Sequence, residues 1–220
     1  MLKVAINGFG RIGRSAFKVG LDHHKNEIDL VGINDLTDAA TLAHLLKYDT
    51  AYGVYHRKIT SSGNNIIVDN QKYEVFAEKD PASLPWRELE VDVVIESTGR
   101  FTNKEGSMEH IKAGAKRVVI SAPAEGGDIG TYLIGVNAED DKGEEQIINN
   151  ASCTTNCIAP VAAVMHEAFG VAKAMMTTIH SYTADQNLQD GPHKDLRRAR
   201  AAAENIVPTT TGAAVATTET

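Results

Sequence analysis

The run Gly8-Phe9-Gly10-Arg11-Ile12-Gly13 constrains this chain more than any other stretch. By itself a G-x-G-x-x-G pattern is weak, because glycine triplets also occur in plain βαβ turns. Here it follows the apolar segment Lys3–Asn7, which reads as a buried strand, and opens a helical pattern that runs from about Arg11 to Leu21. In that context each glycine has a task. Gly8 permits a tight turn, Gly10 lets the backbone approach a pyrophosphate, and Gly13 lets helix and strand pack closely. Free N–H groups near Arg11 and Ile12, at the helix N-terminus, then suit phosphate oxygens. Asp35 closes the next apolar run, Ile28–Asn34, where its carboxylate would accept from ribose hydroxyls. Its charge would repel a 2′-phosphate, so NAD is expected over NADP.

Short Val/Ile-rich runs continue to alternate with helical ones. Asp38–Leu46 reads as a helix. Tyr55–Thr60 and Asn65–Val68 flank the turn Ser61–Asn64, and Lys72–Ala77 adds a strand. Val91–Glu96, Arg117–Ser121 and Tyr132–Gly135 read as further strands, with an amphipathic helix at Lys104–Ala113. Such alternation implies an α/β fold with a mostly parallel sheet covered on both faces. A boundary is expected near residue 150, giving a dinucleotide-binding unit at 1–150 and a second unit at 151–220. Beyond the charged loop Asp140–Glu145, Gln146–Asn150 reads as a strand, followed by a helix to about Phe169 and a strand at Ala172–His180. Ser181–Thr220 is polar or Ala/Thr-rich, too poor in large apolar groups to cover both faces of a sheet. The expectation is that the chain ends before its fold does.

Composition excludes several function classes. A formal net charge of −7 over 220 residues offers no bulk attraction for nucleic acid or anionic lipid, and 5% aromatics gives no support to RNA stacking. No run approaches the ~20 apolar residues of a membrane span, and the N-terminus lacks the apolar core of a signal peptide. Two cysteines four apart, Cys153 and Cys157, make neither a disulfide scaffold nor a C-x-x-C metal pair. The expected setting is the cytoplasm, with no metal.

Ala151-Ser152-Cys153-Thr154-Thr155-Asn156-Cys157 lies where a strand hands over to a helix. A cysteine at a helix N-terminus has its thiolate favoured by the dipole and the terminal N–H groups. A histidine close in space would complete a Cys/His pair, and His180, closing an apolar run, is the best placed of eight. Otherwise a cysteine beside an apolar helix is a small buried hydrophobe, the reading that suits Cys157, and His180 is a structural histidine. The residues thus point to an NAD-binding fold joined to a thiol nucleophile, and so to oxidation of an aldehyde.

The segments INGFGRIGR, ASCTTNC and HSYTADQ, together with Pro192–Ala214, resemble the phosphorylating glyceraldehyde-3-phosphate dehydrogenase family in its bacterial form, almost unbroken from residue 1 to about 214. The resemblance implies a Rossmann-type dinucleotide-binding domain followed by the beginning of an α+β catalytic domain. It implies that Cys153 attacks the aldehyde to give a hemithioacetal, with His180 as base. Hydride loss to NAD leaves a thioester, which inorganic phosphate cleaves to 1,3-bisphosphoglycerate. Cofactor contacts carry over to Gly8, Gly10, Arg11, Ile12, Gly13, Asp35, Thr98, Gly99 and Ser121, with Lys79 near the adenine end. Ser152, Thr154, Thr211 and Gly212 match one anion site, Thr183 the substrate-phosphate site, and Arg198 a phosphate-contacting arginine flanked by Arg197 and Arg200.

The family pattern also implies a homotetramer whose loop at about Ser181–Asn205 reaches toward a neighbour's cofactor. Two departures stand out: Val215 replaces a lysine, and roughly the last third of the family's length has no counterpart here. The nearest rival is erythrose-4-phosphate dehydrogenase, against which Tyr182–Thr183 speaks. A non-catalytic NAD-binding fragment is the alternative from another class.

Overall fold

The computed structural model describes residues 1–126, 128–218 and 220. The glycine-rich loop joins β1 (Leu2–Asn7) to α1 (Arg11–His23), and β2 (Ile28–Asn34) and α2 (Ala39–Lys47) follow. A small ribbon, β3 (Tyr48–Asp49) with β4 (Gly53–Val54), was not foreseen from sequence. Next comes a meander of β5 (Ile59–Ser62), β6 (Asn65–Val68) and β7 (Gln71–Phe76). Its second turn places Asp69 and Asn70 at φ +49° and +74°. That is the left-handed pair a two-residue hairpin needs, at residue types that tolerate it. β8 (Val93–Glu96), α3 (Lys104–Lys112), β9 (Arg117–Ile120), β10 (Gly130–Thr131) and β11 (Ile147–Asn149) complete a nine-stranded sheet. Then come α4 (Cys153–Phe169) and, far along the chain, α5 (Ala213–Thr218).

The strand order is β10-β11-β9-β8-β1-β2-β7-β6-β5, parallel except for the β7-β6-β5 edge. β1 has β2 on one side and β8 on the other. The chain therefore reverses its direction of travel at β1, and a crevice opens there beyond the carboxyl ends of the strands. Both faces of the central sheet are covered, which explains why β1, β2, β8 and β9 are largely apolar without a regular alternation. Val4 and Ile6 pack on one side with Phe9, Phe17, Leu42 and Leu46, while Ala5 packs on the other with Trp86, Val94, Val118 and Ile120.

Of the expected strand Tyr55–Thr60 only Ile59 and Thr60 pair, in β5, and two other expected strands take other forms. Tyr132–Gly135 is a turn after the two-residue β10, because the Asn137 side chain captures the backbone there. Its Oδ1 accepts from Leu133 N–H (2.9 Å) and its Nδ2 donates to the Thr131 carbonyl (2.8 Å). Ala172–His180 pairs with no strand among the described residues, and Met175 and Ile179 stand fully exposed. A strand is a property of two chains, so an apolar run without a partner ladder remains a coil. From 171 to 212 the chain is irregular apart from one 3-10 turn, Ala202–Glu204.

The tightest constraint in the fold is at Gly13, where a Cβ would stand 2.1 Å from the Gly8 carbonyl oxygen. At Gly20, on the same helix, a Cβ would meet side-chain atoms alone, Ile28 Cδ1 at 2.8 Å and Leu30 Cδ1 at 3.4 Å. Gly13→Ala is therefore expected to cost about 3 kcal/mol or more of stability by overpacking against rigid backbone. Gly20→Ala is expected to change it by about 1 kcal/mol at most, since a rotatable methyl can yield and alanine favours the helix. Urea unfolding of both variants checks this. Equal losses would remove the Gly8–Gly13 contact from its central place.

Candidate active site

The carboxyl ends of four strands and the loops after them enclose a cleft of about 270 Å³. Its walls include Gly8, Gly10, Asp35, Lys79 and Thr98 from the residues expected on sequence, joined by Asn7, Asn34, Ser97, Arg100 and Phe101, which were not. Asp35 Oδ2 accepts from Phe9 N–H (2.7 Å) and Oδ1 from Thr37 N–H (2.9 Å). The carboxylate thus ties the glycine loop to the end of β2 and keeps a lone pair on each oxygen for a further donor. Gly8 (φ +90°) allows that loop to lie against β8, since a Cβ would come within 2.6 Å of Thr98 N.

Gly10 differs from the other two glycines. Its φ of −72° suits any residue, and a Cβ there would meet nothing within 4 Å. It caps α1 without a side-chain bond, no acidic residue occupies the first turn, and the first N–H groups of the helix lack intrahelical acceptors. Open space over a helix N-terminus is the shape and polarity that a dinucleotide pyrophosphate requires. Arg11 and Ile12 sit in that first turn. The Arg11 guanidinium is held by Asp49 (2.8 Å) and lies 5.8 Å from the Tyr52 ring centroid. Ser121 follows β9, its N–H on the Glu96 carbonyl (2.9 Å), and Gly99 turns the chain at φ +71°. Neither lines the cleft.

The thiol is built after β11, at the same carboxyl edge of the sheet but three strands away from β1. Asn149, buried at the end of β11, donates through Nδ2 to Thr131 Oγ1 (2.9 Å) and the Gly130 carbonyl (3.1 Å). Its Oδ1 accepts from Ala151 N–H (2.9 Å), and Ala151 takes the left-handed conformation (φ +53°). That conformation is costly for alanine and is held here by the Asn149 bond. The turn swings the chain so that Ser152 caps α4, its Oγ accepting from Thr155 N–H (2.9 Å), and Cys153 becomes the first helical residue. Cys153 Sγ lies 3.3 Å from His180 Nε2 and 4.0 Å from Thr154 Oγ1. The His180 ring is oriented by its Nδ1–H, which donates to the Ser181 carbonyl (2.6 Å). Cys157, one turn on, is exposed rather than buried as expected, and both cysteines are free thiols.

Burial pushes the Cys153 thiol up, but its bonds with His180 and Thr154 outweigh this and hold it below the ordinary thiol value. His180 is raised, first by its bond to the Ser181 carbonyl and then by the thiol. Both shifts favour thiolate with imidazolium over two neutral groups. The remaining residues expected on sequence make no hydrogen bond to this pair among the described residues. Thr183, Thr211 and Gly212 are exposed. Of the three neighbouring arginines, Arg197 is paired with Asp195 and Arg200 with Asp190. Arg198 pairs with Asp185 and reaches Thr209 Oγ1 (3.0 Å) and the Thr210 carbonyl (3.3 Å), beside Thr211.

Alkylation of Cys153 by iodoacetamide is therefore expected to set in at lower pH than that of a free cysteine. His180→Asn should move the midpoint of its pH profile upward toward the ordinary thiol value and slow the reaction at neutral pH several-fold. An unshifted profile would show that the pair is not coupled in solution.

Residues 2–104 match the family model described as "Glyceraldehyde 3-phosphate dehydrogenase, NAD binding domain". Residues 152–220 match "Glyceraldehyde 3-phosphate dehydrogenase, C-terminal domain". Proteins named glyceraldehyde-3-phosphate dehydrogenase from Geobacillus stearothermophilus and Thermotoga maritima are each 56% identical over 216 residues, and one from Mycoplasma pneumoniae is 55% identical over 215. Each alignment covers 98% of this chain but 63–65% of the relative, so the chain spans a little under two thirds of these proteins. With both family models matched in their proper order and this identity held almost from end to end, the chain belongs to the glyceraldehyde-3-phosphate dehydrogenase family.

Proposed function

We propose that this chain carries the cofactor site and nucleophile of an NAD-dependent phosphorylating dehydrogenase that converts D-glyceraldehyde 3-phosphate and inorganic phosphate to 1,3-bisphosphoglycerate. The observation that carries this reading is the Cys153–His180 contact of 3.3 Å at a helix N-terminus, in a chain that also builds a dinucleotide cleft. Residues 1–150 act as the cofactor unit and 151–220 as the start of the catalytic one. Gly8, Gly10, Arg11, Ile12 and Gly13 receive the pyrophosphate, Asp35 the adenosine ribose, and Lys79, Thr98, Gly99 and Ser121 the rest of the cofactor. Bound NAD supplies the hydride acceptor.

The chain's own residues do the rest. The Cys153 thiolate bonds to the aldehyde carbon, and His180 gives a proton to the resulting oxyanion and takes it back as the carbon is oxidised. The product is a thioester, which retains oxidation energy that a carboxylic ester would dissipate. A phosphate oxygen then bonds to the acyl carbon as the C–S bond breaks, returning the thiolate. Ser152, Thr154, Thr183, Arg198, Thr211 and Gly212 are proposed to hold the two phosphate groups. The reach of Arg198 to Thr209 Oγ1 and the Thr210 carbonyl, beside Thr211, supports it for this part over Arg197 and Arg200. Homotetrameric assembly of a complete chain belongs to the same proposal, supported by the exposed Leu188 and Leu196 in the long loop and Ile206 directly after it. So does a cytoplasmic setting, which suits two free thiols.

The purified chain is expected to form NADH from NAD and glyceraldehyde 3-phosphate only when inorganic phosphate is present, and Cys153→Ser should abolish turnover. Turnover independent of phosphate, or surviving that substitution, would overturn the reading. Gly10→Ala should leave stability near wild type. It should raise the Kd for NAD about tenfold to hundredfold, the loss of one or two N–H bonds to a charged phosphate. Titration calorimetry checks this.

A further inference from the structure

Glu96 ends β8 with its side chain 1% exposed, and the acceptor positions of its carboxylate are filled by four donors. Oε1 accepts from Thr98 N–H (2.8 Å) and from the Thr98 hydroxyl, and Oε2 from Asn7 Nδ2 and His110 Nε2 (3.0 Å). Neither Asn7 nor His110 is free to reverse. Trp86 Nε1–H, which can only donate, points at His110 Nδ1 (3.0 Å), so the His110 proton must sit on Nε2 and face Glu96. Asn7 Oδ1 accepts from Asn34 Nδ2 (2.7 Å). Asn34 in turn is fixed by backbone, because its Nδ2 donates to the Glu78 carbonyl (2.9 Å) and its Oδ1 accepts from Glu78 N–H (2.9 Å).

The two Glu78 backbone groups, Thr98 N–H and the Trp86 indole thus fix every donor and acceptor between them. The solution they leave is a group with two acceptor oxygens at Glu96. Asn7, Asn34, Glu78 and Thr98 are also walls of the cleft, and the Thr98 hydroxyl accepts from the N–H of Arg100, a further wall (3.1 Å).

We propose that Glu96 is a positioning residue for the dinucleotide, its buried carboxylate holding the ends of β1, β2 and β8 and the segment after β7 in the arrangement that receives the cofactor. This rests on the reading of the cleft as an NAD site. The chemistry is selective against the near-isostere. A glutamine amide must direct its NH2 either at Thr98 N–H or at Asn7 Nδ2 and His110 Nε2–H, so donor faces donor either way. Relief by turning Asn7 would propagate through Asn34 to Glu78, and relief by moving the His110 proton would set Nδ1–H against the Trp86 indole.

Trp86 is the chain's one tryptophan, so its indole N–H gives a single resonance that reports on the far end of this network. In Glu96→Gln, the Kd for NAD is expected to rise about tenfold to hundredfold, the loss of one or two buried bonds. The Trp86 indole proton should move upfield, and the rate of Cys153 alkylation should stay unchanged. Val94→Ala, a cavity in the same strand, should lower stability with NAD affinity kept. In the unaltered chain, saturating NAD should shift the Trp86 resonance although Trp86 does not line the cleft, which tests the idea even if Glu96→Gln does not fold. Wild-type affinity in Glu96→Gln, equal weakening in Val94→Ala, or a Trp86 resonance that NAD leaves in place would overturn the positioning role and spare the cofactor site. An unaltered chain that does not bind NAD would overturn both.

Discussion

The close approach of α1 to β1 governs the geometry of this molecule. At Gly13 the helix passes so near the Gly8 carbonyl that no side chain fits between them. That contact aims the N-terminus of α1 across the point where the sheet changes direction. With the helix pinned, the loop between the glycines has little freedom. Arg14 Nη1 donates to the Phe9 carbonyl (2.7 Å), Asp35 takes the Phe9 N–H, and the Phe9 ring enters the core against Phe17 at 5.4 Å between centroids. Polar and apolar contacts thus agree on one loop conformation, which leaves Gly10 alone facing open space.

Opposite this helix end the sheet presents polar groups where an apolar core would be expected. Asn7, Asn34, Glu96 and Asn149 each close a strand, and each is 5% exposed or less. Burial of such groups is costly unless every donor and acceptor is met. The strands place them at one edge of the sheet, where loop N–H and C=O groups are available to meet them. Asn149 does for the nucleophile what Asn34 does for the cleft, in that a side-chain amide replaces a missing strand neighbour and holds a turn. In both places a rigid sheet positions a backbone conformation that the local sequence would not adopt by itself, most plainly the left-handed Ala151.

Much of this was legible from the chain alone. Strand-turn-helix context around Gly8, Gly10 and Gly13 specified a parallel α/β unit and the place of its crevice, because that arrangement needs glycine at Gly8 and Gly13 for close backbone contact and leaves Gly10 facing open space. The apolar runs marked β1, β2, β8 and β9 to within a residue or two, since strands buried on both faces need uninterrupted apolar side chains. Cys153 at the start of a helix was equally readable, because the capping serine precedes it directly.

Other features needed the tertiary structure, and the reason is the same in each. Ala172–His180 has the composition of a strand yet forms none, because pairing is set by a neighbouring ladder and not by propensity. Tyr132–Gly135 turns because Asn137 reaches back to bind the backbone on either side of Tyr132, and of those four residues only Gly135, at φ +78°, hints at it. The choice among Arg197, Arg198 and Arg200, each paired with an aspartate, rests on which of them also reaches the Thr209–Thr210 segment in space. Asn7, Asn34, Glu96, His110 and Trp86 are scattered over a hundred residues, and only the strand order brings their donors and acceptors together. The sequence by itself determined the helices, the central strands and the residue types at their ends, since periodicity, capping and glycine requirements act within a dozen residues. Which buried polar groups meet, and hence which atoms shape the cleft, was decided by tertiary structure, because a hydrogen bond is satisfied by distance and direction and not by position along the chain.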